Sequence, residues 1–368
     1  MKVTLANVHD EKAHAISFYF SRASFSEASH QEEVLNVKHL VDRVKTKWSS
    51  EDDIADLSSD LAMILEMERQ IRATPARFRA VFACSRKHIW QEYDLPTCET
   101  VSRLEVSTHF QLVPLLRAFE LCTLYCVVIV ENGKAKGFII NGAEIHELDG
   151  RLPGADLSVH ADDSRVGWSH HIDNNVSERK KAYMKELAVD LHRLFQGTNC
   201  QHLVIGCRED VWSELEPQLD KAGLAATVAG CFHLASFDLT PAEILQAARP
   251  VFHKWQSDHY AEFLQKVREQ PALGAVGVEP VLRSLESGRV QKLFLGNVPD
   301  TEVYACVGCN TWSSKASDKC PACGNAEVYA IAAEELLLRE ALRTHAEILA
   351  PDAAIAASLG PVGALLRY

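Results

Sequence analysis

The stretch Gly277-Val278-Glu279-Pro280-Val281-Leu282-Arg283-Ser284-Leu285-Glu286-Ser287-Gly288-Arg289-Val290-Gln291-Lys292-Leu293-Phe294-Leu295 decides the fold. It predicts a helix over Gly277 to Gly288, then a strand over Gln291 to Leu295. Four cysteines follow as an insertion. A helix is expected at Ala332 to His345, then an Ala/Gly-rich tail ending Gly360-Pro361-Val362-Gly363-Ala364-Leu365-Leu366-Arg367-Tyr368. Upstream, Pro250 to Arg268 reads as a helical connector, with Pro250 suited to a first helical position.

The middle of the chain alternates helices and strands. Leu112 to Cys122 reads as a helix, and Leu124 to Glu131 and Ala135 to Ile140 as strands around the turn Asn132-Gly133-Lys134. Asn-Gly between two apolar runs is a strong hairpin signal. Glu144 to Leu148 follows, then a polar, His-rich loop over Gly150 to Asn175. Helix Val176 to Phe195, strand Cys200 to Cys207, helix Asp210 to Ala222, strand Thr227 to Phe232 and helix Pro241 to Ala248 complete an α/β sandwich. The N-terminal part offers a strand at Ala15 to Phe20 and helices at Val34 to Trp48 and Ile54 to Ile71. Strands are expected at Phe78 to Ala83 and Lys87 to Tyr93. Val34, Val37, Leu40, Val41 and Val44 mark one apolar face, and Leu57, Leu61, Ile64 and Leu65 another.

Cys306-Val307-Gly308-Cys309 and Cys320-Pro321-Ala322-Cys323-Gly324 form two C-x2-C knuckles. Such a pair supplies four soft ligands for tetrahedral Zn2+. Gly308 and Gly324 are expected to let the backbone fold around the metal. Four thiolates leave no open position, so one structural zinc is expected, bracing a small hairpin.

The 368 residues are 47% hydrophobic and 24% charged, so two or three domains are expected. No apolar run reaches the roughly 18–20 residues of a membrane helix. The opening Met1-Lys2-Val3-Thr4 has no signal-peptide pattern. Location in the cytoplasm, with no membrane partner, is therefore expected. Of 11 cysteines, Cys84, Cys98, Cys122, Cys126, Cys200, Cys207 and Cys231 lie outside the knuckles and read as small buried hydrophobes in a reducing compartment. A net charge of −12 argues against a protein that coats nucleic acid non-specifically.

The helix-then-strand phrase, the cysteine insertion and the terminal Ala364-Leu365-Leu366-Arg367-Tyr368 resemble the third domain of the archaeo-eukaryotic peptide-chain release factor and Pelota family. The middle part also resembles that family, in the hairpins from Cys126 to Gly150 and the strand-helix-strand of Gln201 to Asp238. The resemblance implies an α/β (α+β) chain of three domains: 1–118, of the decoding-centre type; 119–254, the release-factor middle domain; and 255–368, an L7Ae-like α/β domain with a zinc ribbon at 304–325. It implies a translation factor that enters the ribosomal A site, contacts rRNA of both subunits and is monomeric off the ribosome. Elongation factor Tu or another translational GTPase is an implied second partner. Family release factors carry Asn-Ile-Lys-Ser to read stop codons and Gly-Gly-Gln to position water on peptidyl-tRNA. The corresponding segments here read Thr46-Lys47-Trp48-Ser49-Ser50-Glu51-Asp52-Asp53 and Arg165-Val166-Gly167-Trp168-Ser169-His170-His171-Ile172-Asp173-Asn174-Asn175. Peptide release is therefore not expected. The losses are similar to those of a bacterial branch of ribosome hibernation factors, and Pelota lacks both motifs too.

Candidate RNA contacts fall in three places. Arg69, Arg72, Arg77, Arg79, Arg86 and Lys87 cluster in the N-terminal part, with Lys47 and Trp48 nearby. Basic residues interleaved with aromatics suit phosphate contact and base stacking, although Phe78 and Phe82 read as core by alternation. Arg165, Gly167, Trp168, His170 and His171 belong to the His-rich loop, and Arg179, Lys181 and Lys185 to the helix after it. Lys181 and Lys185 share a helix face, which a solvated surface explains equally well. No catalytic residue is expected. Ser169, His170 and His171 with Asp162, Asp163 and Asp173 can be drawn as a triad, but a long loop is more often a binding element. Three functions remain open: a non-catalytic hibernation factor, Pelota-like rescue with a GTPase, and an RNA hydrolase acting through the His-rich loop.

Overall fold

The computed structural model describes residues 3–12, 14–21, 27–48, 51–70, 78–95, 102–121, 123–131, 133–142, 144–148, 152, 169–234 and 236–368. The chain forms two compact units. One is built from Met1–Cys122 together with His259–Tyr368, the other from Thr123–Asp258. The N- and C-terminal thirds thus share one unit, and the divisions fall at 122/123 and 258/259.

The first unit starts with α1 (Val3–Ala6), β1 (Ala15–Ser21), α2 (Glu27–Lys47), α3 (Glu51–Gln70), β2 (Phe78–Cys84), β3 (Ile89–Leu95), β4 (Arg103–Ser107) and α4 (Val113–Leu121). Its sheet is antiparallel, in the order β3-β2-β1-β4. Side chains alternate across such a sheet. Ile16, Phe18, Phe20, Val81 and Ala83 therefore meet Val37, Val41, Val44, Leu57, Leu61 and Ile64 of α2 and α3. The opposite face, with Tyr19, Phe78, Ala80, Phe82 and Cys84, joins a second core. Burial on both faces is why β2 reads as almost continuously apolar, and Phe78 and Phe82 are both fully buried.

The second unit holds β5 (Leu124–Glu131), β6 (Lys134–Asn141), β7 (Glu144–Glu147), α5 (Ser169–Gln196), β8 (His202–Cys207), α6 (Glu209–Lys221), β9 (Val228–His233) and the start of α7 (Pro241–Glu269). Its sheet runs β7-β6-β5-β8-β9, with β5, β8 and β9 parallel and the hairpins antiparallel. Glu131 pairs with Lys134, and Gly133 has φ 77°, so the expected Asn-Gly hairpin forms. Leu203 and Ile205 face α5 and α6, while Val204 faces α7, which gives the α/β sandwich. The helix expected from Val176 begins at Ser169. The two helices expected on either side of Arg249 are one, with Pro250 inside it. Proline there removes a helix hydrogen bond. Ile244, Ala248 and Phe252, one turn apart, are all buried in this unit and offset that loss.

The first unit resumes with β10 (Gly274–Val276), α8 (Val278–Glu286), β11 (Val290–Leu295), β12 (Glu302–Cys306), β13 (Trp312–Ser313), β14 (Val328–Ala332), α9 (Ala333–Arg343), β15 (Glu347–Leu349), α10 (Ala353–Leu359) and β16 (Val362–Leu366). The Ala/Gly-rich tail is an interior strand, in the order β10-β16-β11-β15. A Cβ on Gly363 would come within 2.8 Å of Leu264 Cδ2, so the residue must be small. Val281, Leu282, Leu285, Leu293, Leu336 and Leu337 share one core with the second face of the N-terminal sheet.

A buried polar junction crosses that core. Glu335 on α9 accepts from Leu112 N at 2.9 Å and Val113 N at 3.1 Å, satisfying the start of α4. Arg339, one turn on, donates to the carbonyls of Ala6 at 2.5 Å and Phe110 at 2.9 Å, and its Nε lies 3.6 Å from Glu335. Burial, and then the charge of Arg339, lower the nearby His109 to about 3.

Burial also raises Glu120 on α4 to about 7. A raised carboxyl favours the fold in its protonated form. Its contribution is complete below the ordinary pKa and is lost as pH rises through 7. Stability is expected to fall by roughly 1–2 kcal/mol between about pH 5 and pH 8 on this account, after allowing for partial exposure. Urea midpoints across that range check it: Glu120→Gln should flatten the slope, and an unchanged slope assigns the effect elsewhere.

Of the scattered cysteines, Cys84, Cys126, Cys200 and Cys207 are buried and Cys231 is partly so, with Cys207 and Cys231 Sγ atoms 3.7 Å apart. Cys98 and Cys122 lie outside the described residues. Among the described residues, no helix is long and apolar enough to cross a membrane.

Candidate metal centre and RNA-contact residues

The two cysteine knuckles meet at the end of a small sheet of order β13-β12-β14. Cys306 ends β12, and Cys320 lies in the loop between β13 and β14. Each knuckle closes through a turn: Asn310 N donates to Cys306 O at 3.0 Å, and Gly324 N to Cys320 O at 2.9 Å. The residue after each second cysteine takes the left-handed conformation, Asn310 at φ 56° and Gly324 at φ 75°. Asparagine and glycine are the residues that tolerate it. Gly308, expected to serve this purpose, does so differently. A Cβ there would meet Asn325 Nδ2 at 2.6 Å, so close packing against Asn325 fixes its size.

All four Sγ atoms lie within 4.8 Å of one another. Cys306 and Cys323 are 3.6 Å apart, and Cys309 and Cys320 are 3.5 Å apart. A tetrahedron with metal–sulfur bonds of about 2.3 Å has sulfur–sulfur edges of about 3.8 Å. The four cysteines are thus arranged to hold a metal ion, and they are the only such group of His, Cys, Asp or Glu among the described residues. The Thr311 hydroxyl and then its amide lower Cys309 to about 6, favouring a thiolate. At Cys323 the Asn325 amide pulls down, but the neighbouring sulfurs push up harder, to about 12. Cys306 and Cys320 are buried, while Cys309 and Cys323 are exposed.

The candidate RNA contacts differ in how far their charges are already matched. Arg79 is bidentate to Asp94, with Nε at 2.5 Å and Nη2 at 2.6 Å, and Nη1 lies 3.4 Å from Glu92. Its charge is already matched. Arg86 Nε lies 3.2 Å from the buried Asp10. Trp48 packs on the α2–α3 core and against His14. Lys47 and Lys87 are exposed. Arg69 lies near the end of α3, whereas Arg72 and Arg77 lie outside the described residues. So do Arg165, Gly167 and Trp168. His170 and His171 fall in the first turn of α5.

On α5, Tyr183, Met184, Leu187 and Ala188 are buried, so this face holds the helix on the sheet. Arg179, Lys181 and Lys185 are exposed. Lys180 is tied to Glu214 at 2.9 Å and Asp210 at 3.6 Å. Arg179, Lys181 and Lys185 have no hydrogen bond or ion pair among the described residues, which leaves them open to an anionic partner. Sequence alone could not separate these three from Arg79, because the acids that neutralise Arg79 lie on a neighbouring strand.

No curated protein matches the chain. Among solved structures, the archaeal translation termination factor aRF1 is 14% identical, covering 99% of this chain and 95% of its own, with a TM-score of 0.26. Archaeoglobus fulgidus Pelota is 13% identical over 79% of both chains, with a TM-score of 0.32. Saccharomyces cerevisiae Dom34, described as a translation termination-like factor, is 10% identical over 79% of both, with a TM-score of 0.36. The span from just before α4 into α7, residues 111–253, matches the family described as bacterial archaeo-eukaryotic release factor family 10.

Proposed function

We propose that this chain is a non-catalytic translation factor that binds the ribosomal A site, as a hibernation factor similar to Balon. The supporting observation is that residues 111–253 match a release-factor family while carrying no Gly-Gly-Gln. Two consecutive glycines allow the tight backbone turn that approaches the ester. Gly167 followed by Trp168 does not supply it. A relative that keeps the middle domain and loses the hydrolytic turn can occupy the site without releasing peptide. Arg179, Lys181 and Lys185, without an ion pair among the described residues, give that domain a phosphate-contacting edge. Zinc at Cys306, Cys309, Cys320 and Cys323 braces the ribbon and takes no part in chemistry.

Sedimentation of the purified chain with ribosomes from stationary or cold-stressed cells tests this. Co-sedimentation at low and moderate salt is expected, and its absence ends the proposal. Lys181→Glu with Lys185→Glu is expected to weaken that binding about tenfold or more and to reduce its salt dependence by roughly two counter-ions. An unchanged affinity would remove α5 from the contact. Pelota-like rescue predicts instead subunit splitting that requires a translational GTPase. RNA hydrolysis predicts turnover of tRNA or mRNA that is lost in His170→Ala and His171→Ala.

A further inference from the structure

In the first unit, a groove of about 440 Å³ separates α8 from the ribbon. Glu279, Arg283 and Glu286 form one wall, and Trp312, Ser313 and Ser314 the other. The three α8 residues are spaced along its outer face, opposite the buried Val281, Leu282 and Leu285. Their charges are not equally available. Arg283 donates to Glu279 on the same helix, so those two cancel. Glu286 has no hydrogen bond or ion pair among the described residues. Its charge acts on Arg343, but that guanidinium is held by Glu340. Across the groove, Trp312 is half-buried, and its Nε1 makes no hydrogen bond. Its ring therefore sits there through face and edge contacts alone.

We propose that this groove docks a cationic side chain, arginine or lysine, from a basic segment of a protein partner. An unpaired carboxylate facing an indole selects a cation. The carboxylate supplies the counter-charge, and the aromatic face attracts the ammonium or guanidinium and covers its alkyl stem. Ser313 and Ser314 add hydroxyls to the wall. The same lining disfavours nucleic acid, since phosphates would approach two carboxylates and one already paired arginine. The ribbon face is thus a protein-docking face.

Fluorescence anisotropy of the full chain tests this. The probes are a labelled arginine–glycine peptide, the same peptide with glutamate for arginine, and a single-stranded RNA homopolymer. Because the chain is acidic overall, the informative comparison is between variants of equal net charge. Glu286→Lys is expected to weaken the arginine peptide about tenfold, as loss of a counter-charge and its reversal would. Glu178→Lys on α5 changes the net charge equally and should change little. Trp312→Ala should also weaken the peptide and Trp312→Phe should restore much of the binding, with zinc content confirming that the ribbon is intact. Equal loss in Glu286→Lys and Glu178→Lys would overturn the proposal. So would RNA that displaces the peptide from the wild-type groove.

Discussion

Glu335→Ala is expected to cost the first unit about 3–5 kcal/mol of stability, the range for breaking a buried ion pair from one side. The carboxylate is 1% exposed and accepts from two backbone amides at the start of α4. Alanine leaves those amides buried without an acceptor. It also leaves the Arg339 charge, 6% exposed, facing the carbonyls of Ala6, Val8 and Phe110 without its carboxylate. A melting temperature lower by roughly 10 °C is the readout for a unit of this size. Glu335→Gln keeps the volume but loses the charge, and should fall in between. Replacing Glu335 and Arg339 together by leucine and methionine should recover part of the loss, because neither desolvated charge then remains. A loss below about 1 kcal/mol in Glu335→Ala would show that water or local rearrangement replaces the carboxylate.

This junction was not legible in the sequence. Glu335 and Arg339 look like ordinary charges on an acidic helix, and their partners lie more than two hundred positions away in the chain. Local signals carried further. The apolar faces of α2 and α3, the Asn-Gly hairpin and the two cysteine knuckles depend on neighbours a few residues apart, and each appears where its pattern places it. The failures are tertiary. Composition marks the Ala/Gly-rich end only as a tail, whereas the approach of Leu264 makes a small residue necessary at Gly363 of an interior strand. Pro250 suits a helix start, but buried contacts before and after it hold α7 continuous. The basic cluster was visible as composition, whereas the pairing of Arg79 with Asp94 depends on strand register.

Cys306→Ser and Cys323→Ser should each abolish metal binding at the four-cysteine site, proposed above to hold zinc, but with different structural consequences. A structural zinc site contributes on the order of 10 kcal/mol of binding free energy to the fold around it. Both variants lose it, so metal analysis of the purified protein should read near zero for both. Cys323 is exposed in the outer loop, and its loss should loosen residues 307–327 without reaching the core. Cys306 is buried at the end of β12, next to Ala305 and near Val303, which with Ile331 of β14 belong to the core of the first unit. The Tyr329 ring on β14 also packs, tilted, with its centroid 4.4 Å from that of His9. Cys306→Ser should therefore add a measurable loss in melting temperature of the first unit, while Cys323→Ser shows mainly faster proteolysis of the ribbon. Chelation of wild-type protein should resemble Cys323→Ser, because the core residues of β12 and β14 are unchanged and only the clasp is removed. Retained zinc in either variant would show that the ligand set is wrong. Equal melting temperatures for the two would show that the ribbon folds independently of the sheet that carries it.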